Sequence, residues 1–275
     1  MKKILSLVLA IVMVASMAIS FTSCKKEEGG NAYDGLTILQ SDLFETEEYG
    51  IAFRKGSTMA KEVDAIIAQL VADGTVATIA EKYEVSDSLV KEFKSGASTA
   101  TDTADFDAIK AKGKLVIGTT VWAPMNFKAS DGSWTGFDTE LAQAVCAKLG
   151  VTAEFREIDW DNKLLELEAG TIDCIWNGMT ITPAITSACE VTGAYMVNGQ
   201  VIVIKEGAFA NVSELAGKQI AVEGGSAGEL QAKAKLTDCT VKPVGAQTDA
   251  LLEVKAGTSS ACVIDYVMAK SLLGK

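Results

Sequence analysis

Residues 164–177, LLELEAGTIDCIWN, and residues 251–265, LLEVKAGTSSACVID, are near-copies of one unit. Each reads as the end of an amphipathic helix, an Ala-Gly-Thr turn, and a short apolar strand that carries a cysteine. In both copies the third residue after the cysteine is polar: Asn177 in the first and Asp265 in the second. A duplicated α/β unit places these two side chains at the carboxyl ends of equivalent strands, where open α/β sheets bind their ligands.

The same alternation extends outward from the two copies. KLVIGTT (114–120), TAEFREI (152–158), IDCIWNG (172–178), QVIVIK (200–205), QIAVEGG (219–225) and ACVID (261–265) have the length and apolar content of strands. Between them, 136–150 reads as a helix capped through Asp138 and closed by Gly150, and 161–170 as a helix ending at a glycine. Alternating short strands and helices imply parallel sheets covered by helices on both faces. Upstream, TMAKEVDAIIAQLVA (58–72) puts Met59, Val63, Ile66, Ile67, Leu70 and Val71 at helical spacing, and 75–83 forms a second helix after Asp73-Gly74. The stretch SGASTATDTA (95–104) is small, polar and aperiodic, and reads as an internal linker.

Composition bounds the function. With 48% hydrophobic and 22% charged residues, the chain has the makeup of a folded protein long enough for two compact lobes. Residues 1–24 stand apart: Lys2 and Lys3 precede an apolar run over 4–19, and the segment ends in SFTSC, the layout of an export signal. The position of Cys24 resembles a bacterial lipobox, with Phe21 where leucine is usual, and implies acylation of the Cys24 thiol followed by a polar tether over 25–35. Taking Lys2 and Lys3 out of the 25 basic residues leaves 23 against 36 acidic ones, a net charge of −13. That charge disfavours nucleic acid and favours cationic ligands at long range. The sequence has no histidine, which removes the commonest general base and metal ligand, and no cofactor or metal is expected. Cys146, Cys174, Cys189, Cys239 and Cys262 lack any CxxC spacing; Cys174 and Cys262 read as buried thiols, and one disulfide within the set stays open.

The segments LVIGTTVWAPMNFKASDGSWTGFDTELAQAVCAKLG (115–150), EIDWDNKLLELEAGTIDCIWNGMTIT (157–182), YMVNGQVIVIK (195–205), LAGKQIAVEGGSAGE (215–229) and ACVIDYVMAK (261–270) closely resemble the extracytoplasmic solute-binding proteins of amino-acid ABC importers, family 3. The resemblance runs from about residue 105 to the end. It implies a two-lobed α/β fold of the type II periplasmic-binding-protein (Venus flytrap) kind. It also implies a small-molecule ligand in the interlobe cleft, ABC permease subunits as partners, a lipid-anchored extracytoplasmic location and a monomer without catalysis. Members of that family continue past the equivalent of residue 273 with a strand, a crossover back to the first lobe, and closing helices. Here residues 36–83 look like that segment, moved to the front, so the resemblance implies a circularly permuted order with 95–104 bridging the old ends. One lobe is then 49–200 and the other 36–48 with 201–275, and the hinge strands 49–54 and 200–205 are expected side by side.

The resemblance also assigns a ligand site: Asp265 to pair with an ammonium, Trp122 to stack on the ligand, Asn177, Gly178 and Thr180 to line the pocket, and Gly225 and Ser226 to open a helix whose N–H groups meet an anion. Asp265 reads equally as a helix N-cap, Trp122 as a core residue, and the loop residues as turn formers. One position departs from the pattern. Ile185, in TITPAITSA (180–188), stands where the family has an arginine that clamps the ligand α-carboxylate, and the only arginines are Arg54 and Arg156. Either the carboxylate is held by other groups near Ser226, Thr180 or lysines, or the ligand is an amine without one. A sensory lipoprotein that has lost transport is the remaining reading of the same features; an enzyme on this fold lacks an evident acid/base pair.

Overall fold

The computed structural model describes residues 31–274; the expected export signal, Cys24 and most of the expected 25–35 tether lie outside the described residues. In chain order the elements are β1 (Leu36–Leu39), β2 (Thr46–Arg54), α1 (Met59–Ala72), α2 (Thr75–Lys82), α3 (Ala104–Lys112), β3 (Lys114–Thr119), β4 (Phe127–Lys128), β5 (Trp134–Thr135), α4 (Phe137–Leu149), β6 (Thr152–Glu157), α5 (Lys163–Glu168), β7 (Cys174–Thr180) and α6 (Pro183–Ala188). They continue with β8 (Cys189–Val191), β9 (Met196–Lys205), β10 (Gln219–Glu223), α7 (Ala227–Lys235), β11 (Thr240–Val244), α8 (Gln247–Ala256), β12 (Ala261–Asp265) and α9 (Tyr266–Leu273).

The strands lie in the order β11-β10-β12-β9-β2-β7-β3-β6, with β1 added to β9 and β8 to β2. The outer strands pair in parallel, as the alternation predicts: β11 with β10 and β10 with β12 at one end, β7 with β3 and β3 with β6 at the other. The centre is antiparallel. β12 runs against β9, β9 against β2, and β2 against β7, so the sheet is mixed rather than wholly parallel. β2 and β9 are long enough to serve both ends. Residues 46–49 of β2 pair with 196–199 of β9, and then each strand leaves for a different half: 200–205 of β9 pair with β12 and β1, and the rest of β2 with β7 and β8. The expected neighbours, 49–54 and 200–205, therefore belong to the two strands that do pair, but the contact is made by the preceding residues of each.

The helix at 58–72 buries Met59, Val63, Ile67 and Leu70 at positions i, i+4, i+8 and i+11, while Val71 points outward and is exposed. Each such large apolar side chain contributes about 1.5–3 kcal/mol on full burial. The 95–104 stretch has no regular structure up to Ala104 but is not a free linker. Asp64, on the buried face of α1, accepts the Gly96 N–H at 2.7 Å and the Gly193 N–H at 2.8 Å, and Thr58 N–H reaches Asp102 O at 3.0 Å. Small residues are needed here because the chain runs against a neighbouring segment: a Cβ on Gly193 would lie 1.7 Å from Lys94 O. The Arg54 guanidinium ties the same region down, bonding Asp105 at 2.9 Å and Asp173 at 3.4 Å, while Asp173 also accepts the Val116 N–H at 2.7 Å. All five described cysteines are free thiols.

Candidate ligand site

The carboxyl ends of β7, β10 and β12 face a common cavity of 340 Å³. From one half come the β7 end (Asn177 to Thr180), Ala184 and Ile185 of α6, and Trp160, Lys163 and Leu164; from the other come Glu223, the start of α7, Gln247 and Asp265. Trp122 completes the wall.

Asp265 closes β12 and is 6% exposed. Side-chain amides surround it. Gln200 Nε2 donates to Oδ1 at 2.8 Å, Asn198 Nδ2 donates to the same oxygen, and Gln247 Nε2 donates to Oδ2. The Asp265 N–H returns a bond to Gln247 Oε1 at 2.9 Å. Gln200 Nε2 also donates to Glu47 Oε2 at 2.8 Å, and Thr180 Oγ1 reaches that oxygen at 3.3 Å. Burial pushes the Asp265 and Glu47 carboxyls up, opposed by these amides. The Tyr49 hydroxyl lies near Asp265 without meeting hydrogen-bond geometry.

Glu223 ends β10 as Asp265 ends β12, is 4% exposed, and lines the same cavity. Burial first, then the nearby Asp265 charge, raises its carboxyl to about 8; Gln247 and Lys163 pull the other way, and Asp249 adds to the rise. Lys163, 9% exposed, donates to Gly225 O at 2.8 Å and Trp160 O at 3.1 Å. Burial lowers its ammonium, opposed most strongly by Glu223.

The residues expected at the site all touch the cavity, but several have a different task. Trp122 is 2% exposed, packs edge-on against Tyr49 at 6.0 Å between ring centroids, and presses on Gly178. Gly178 has φ +56°, and a Cβ there would meet the indole at 3.0 Å, so glycine is required on both grounds. Its N–H donates to Asp138 Oδ2 at 2.7 Å. Asp138 therefore does not cap its own helix as expected. α4 starts after Gly136, and Pro124 O and Met125 O accept its first N–H groups, which frees the buried Asp138 carboxyl, raised to about 7 by burial, to hold β7 instead. Asn177 lines the cavity and also positions its neighbours: its Oδ1 accepts from Thr119 Oγ1, Thr120 N and Asn126 Nδ2, and its Nδ2 donates to Thr120 Oγ1 at 2.7 Å. Together these bonds hold the loop that carries Trp122.

At the anion site expected at Gly225 and Ser226, some of the N–H groups are bonded from within the protein. Glu229 accepts the Gly225 N–H at 2.8 Å, and Ser226 Oγ accepts the Glu229 N–H at 3.1 Å. This Ser-x-x-Glu capping pattern was readable in SAGE (226–229). Ile185 is 6% exposed and forms apolar wall; Arg54 and Arg156 lie elsewhere, bonded to Asp105 and to Thr171 O. The sequence reading missed Glu223, Glu47, Gln247 and Lys163. For Glu223 the signal existed, since QIAVE ends in an acid as ACVID does. Glu47 carries no such signal, because only strand pairing brings it to Asp265. Among the described residues no cluster of three or more His, Cys, Asp or Glu side chains suits a metal ion.

A sheet whose long central strands join two α/β halves, with a ligand-sized cavity at the strand ends, defines a two-part solute-binding fold. The sequence profile of the bacterial extracellular solute-binding proteins, family 3, matches residues 115–259, and the chain belongs to that family. It is similar to the L-cystine-binding protein TcyJ of Escherichia coli K12, 26% identical over 178 residues covering 63% of this chain and 67% of that protein. It is also similar to the L-arginine-binding protein of Pseudomonas aeruginosa, 32% identical over 150 residues, 53% of this chain and 58% of that one. The arginine-bound form of truncated ArgBP from T. maritima aligns with TM-score 0.58 and 31% identity, over 61% of this chain and 81% of that structure. The fold is that of the type II periplasmic amino-acid-binding proteins, and the family is extracytoplasmic.

The buried acids make stability depend on pH in a defined direction. Glu223 holds its proton in the folded chain up to about pH 8, whereas the unfolded chain releases it near 4.5. The folded state thus binds more protons across that window, and its contribution, full below the unfolded value, is lost as pH rises toward 8. Asp138, raised from 3.8 to about 7, acts in the same direction. Melting of the ligand-free chain followed by circular dichroism should fall between about pH 5 and pH 8, and Glu223→Gln should flatten part of that slope. A melting temperature that rises over this window contradicts the assignment.

Proposed function

We propose that the chain is the lipid-anchored receptor of an ABC importer: it takes a small amino compound into the cavity and delivers it to membrane permease subunits. The observation that carries this reading is the placement of the Asp265 carboxylate, nested in three side-chain amides, at a strand end facing the cavity. A carboxylate preset by amide donors accepts charge-assisted bonds from an ammonium without reorganising. The two halves act as lobes, about 49–200 and about 36–48 with 201–275, and β2 and β9, the strands that serve both, act as the hinge about which they close on the ligand. Acylation of Cys24 tethers the receptor at the outer face of the membrane, beside the permease.

Asp265→Asn keeps the shape and removes the charge. With a charge-assisted bond worth about 2 kcal/mol, affinity for the ammonium ligand should fall roughly thirtyfold by calorimetry. Unchanged affinity removes Asp265 from the site.

We further infer that the chain order is circularly permuted. Three observations favour this. The family profile begins at residue 115, yet β1 and β2 complete the sheet. β2 fills the slot between β7 and β9. Asn31 Nδ2 donates to Leu272 O, so the two ends of the described chain are neighbours. A reordered variant that starts at residue 105 and runs through 275 into 31–94 should fold and bind the same ligand. An unfolded product, with the original order folding normally, contradicts the permuted reading.

A further inference from the structure

The cavity wall holds two buried acids, and Ile185 presents hydrocarbon to it. Glu223 and Asp265 lie at the ends of the neighbouring parallel strands β10 and β12, both nearly inaccessible and both in the cavity wall. Gln247 stands beside both of them. Beneath Asp265, Gln200 donates to both Glu47 and Asp265.

The features that receive a ligand carboxylate elsewhere are absent or committed here. Ile185 presents hydrocarbon to the cavity. Lys163 is bonded to two backbone carbonyls, and Lys233 pairs with Glu229 at 2.6 Å. At the start of α7, Glu229 takes the Gly225 N–H and Ser226 Oγ takes the Glu229 N–H. Trp122 Nε1, buried and unpartnered, offers one neutral N–H, which suits a hydroxyl or ether oxygen and falls short of the paired charged donors a buried carboxylate needs. A ligand carboxylate would stand beside the Asp265 charge in a poorly solvated wall and give Glu223 no reason to release its proton.

We propose that the ligand is an organic cation without a carboxylate, an amine whose N–H donors are shared between Glu223 and Asp265 and whose apolar body lies against Trp122, Trp160, Leu164, Ile185 and Leu230. The inference rests on the solute-binding reading of the cavity and narrows its substrate class. At 340 Å³ the cavity is at the small end of ligand pockets, which fits a compact amine. Glu223 supplies the second half of the ammonium site and sets the preference for charge over a zwitterion.

The test is calorimetric titration of the full chain at about pH 7.5 with amino acids and the amines left by their decarboxylation: phenylalanine and phenethylamine, histidine and histamine, lysine and cadaverine, arginine and agmatine. The amine should bind at least about tenfold more tightly in the best-fitting pair. Glu223→Gln, an isostere of the protonated acid, should weaken amine binding by about tenfold while melting as the parent chain does at pH 5. Amino acids binding as tightly as their amines, or tighter, overturns this inference and leaves the solute-binding reading intact. Failure of every amino acid and every amine to bind overturns both. A Glu223→Gln chain that keeps full amine affinity removes the second carboxylate from the site.

Discussion

The site depends on the pairing of residues 46–49 with 196–199, where the two long central strands meet. Strand side chains alternate between faces, so this register brings Glu47 against Asn198 and Gln200 and sets all three beneath Asp265. A shift of one residue would turn the two amides to the opposite face and leave buried carboxylates without donors. The same pairing is the sheet's join between its two parallel ends. Connection of the halves and preparation of the cavity floor are thus one piece of geometry.

The acids held there are raised mainly by burial. Glu223 is driven up by burial and by Asp265, and Glu47 and Asp265 are raised in the same direction. Their amides offset the desolvation only in part, and no arginine neutralises them. A cation entering the cavity supplies the partner charge that lets Glu223 release its proton and bind as a carboxylate. Lys163 cannot serve that purpose alone, because two carbonyls hold its ammonium on the Gly225 side of the cavity.

Much of the fold was legible in the sequence because it is local. The helix–turn–strand repeat located Asn177 and Asp265 at strand ends, and the family motifs located the pocket wall around Trp122, Gly178 and Ser226. What was not legible depends on distant pairing or on competition between partners. Asp138 has the position of a cap, but backbone carbonyls at 124 and 125 fill that role and release it to Gly178. Ser226 has the position of an anion site, but there Glu229 takes the Gly225 N–H and Ser226 Oγ caps Glu229. Residues 95–104 have the composition of a linker, yet Asp64 docks Gly96 through a bond that no local pattern announces.

The central claim is that Glu223 and Asp265 together receive a cationic group. Carboxyl ¹³C shifts of these two residues, followed against pH by NMR in the empty chain and in the chain saturated with the tightest-binding amine, report on it directly. The account predicts that Glu223 titrates near 8 when empty and falls below its ordinary carboxylate value once the amine is bound. A Glu223 titration that is the same in both states would contradict it.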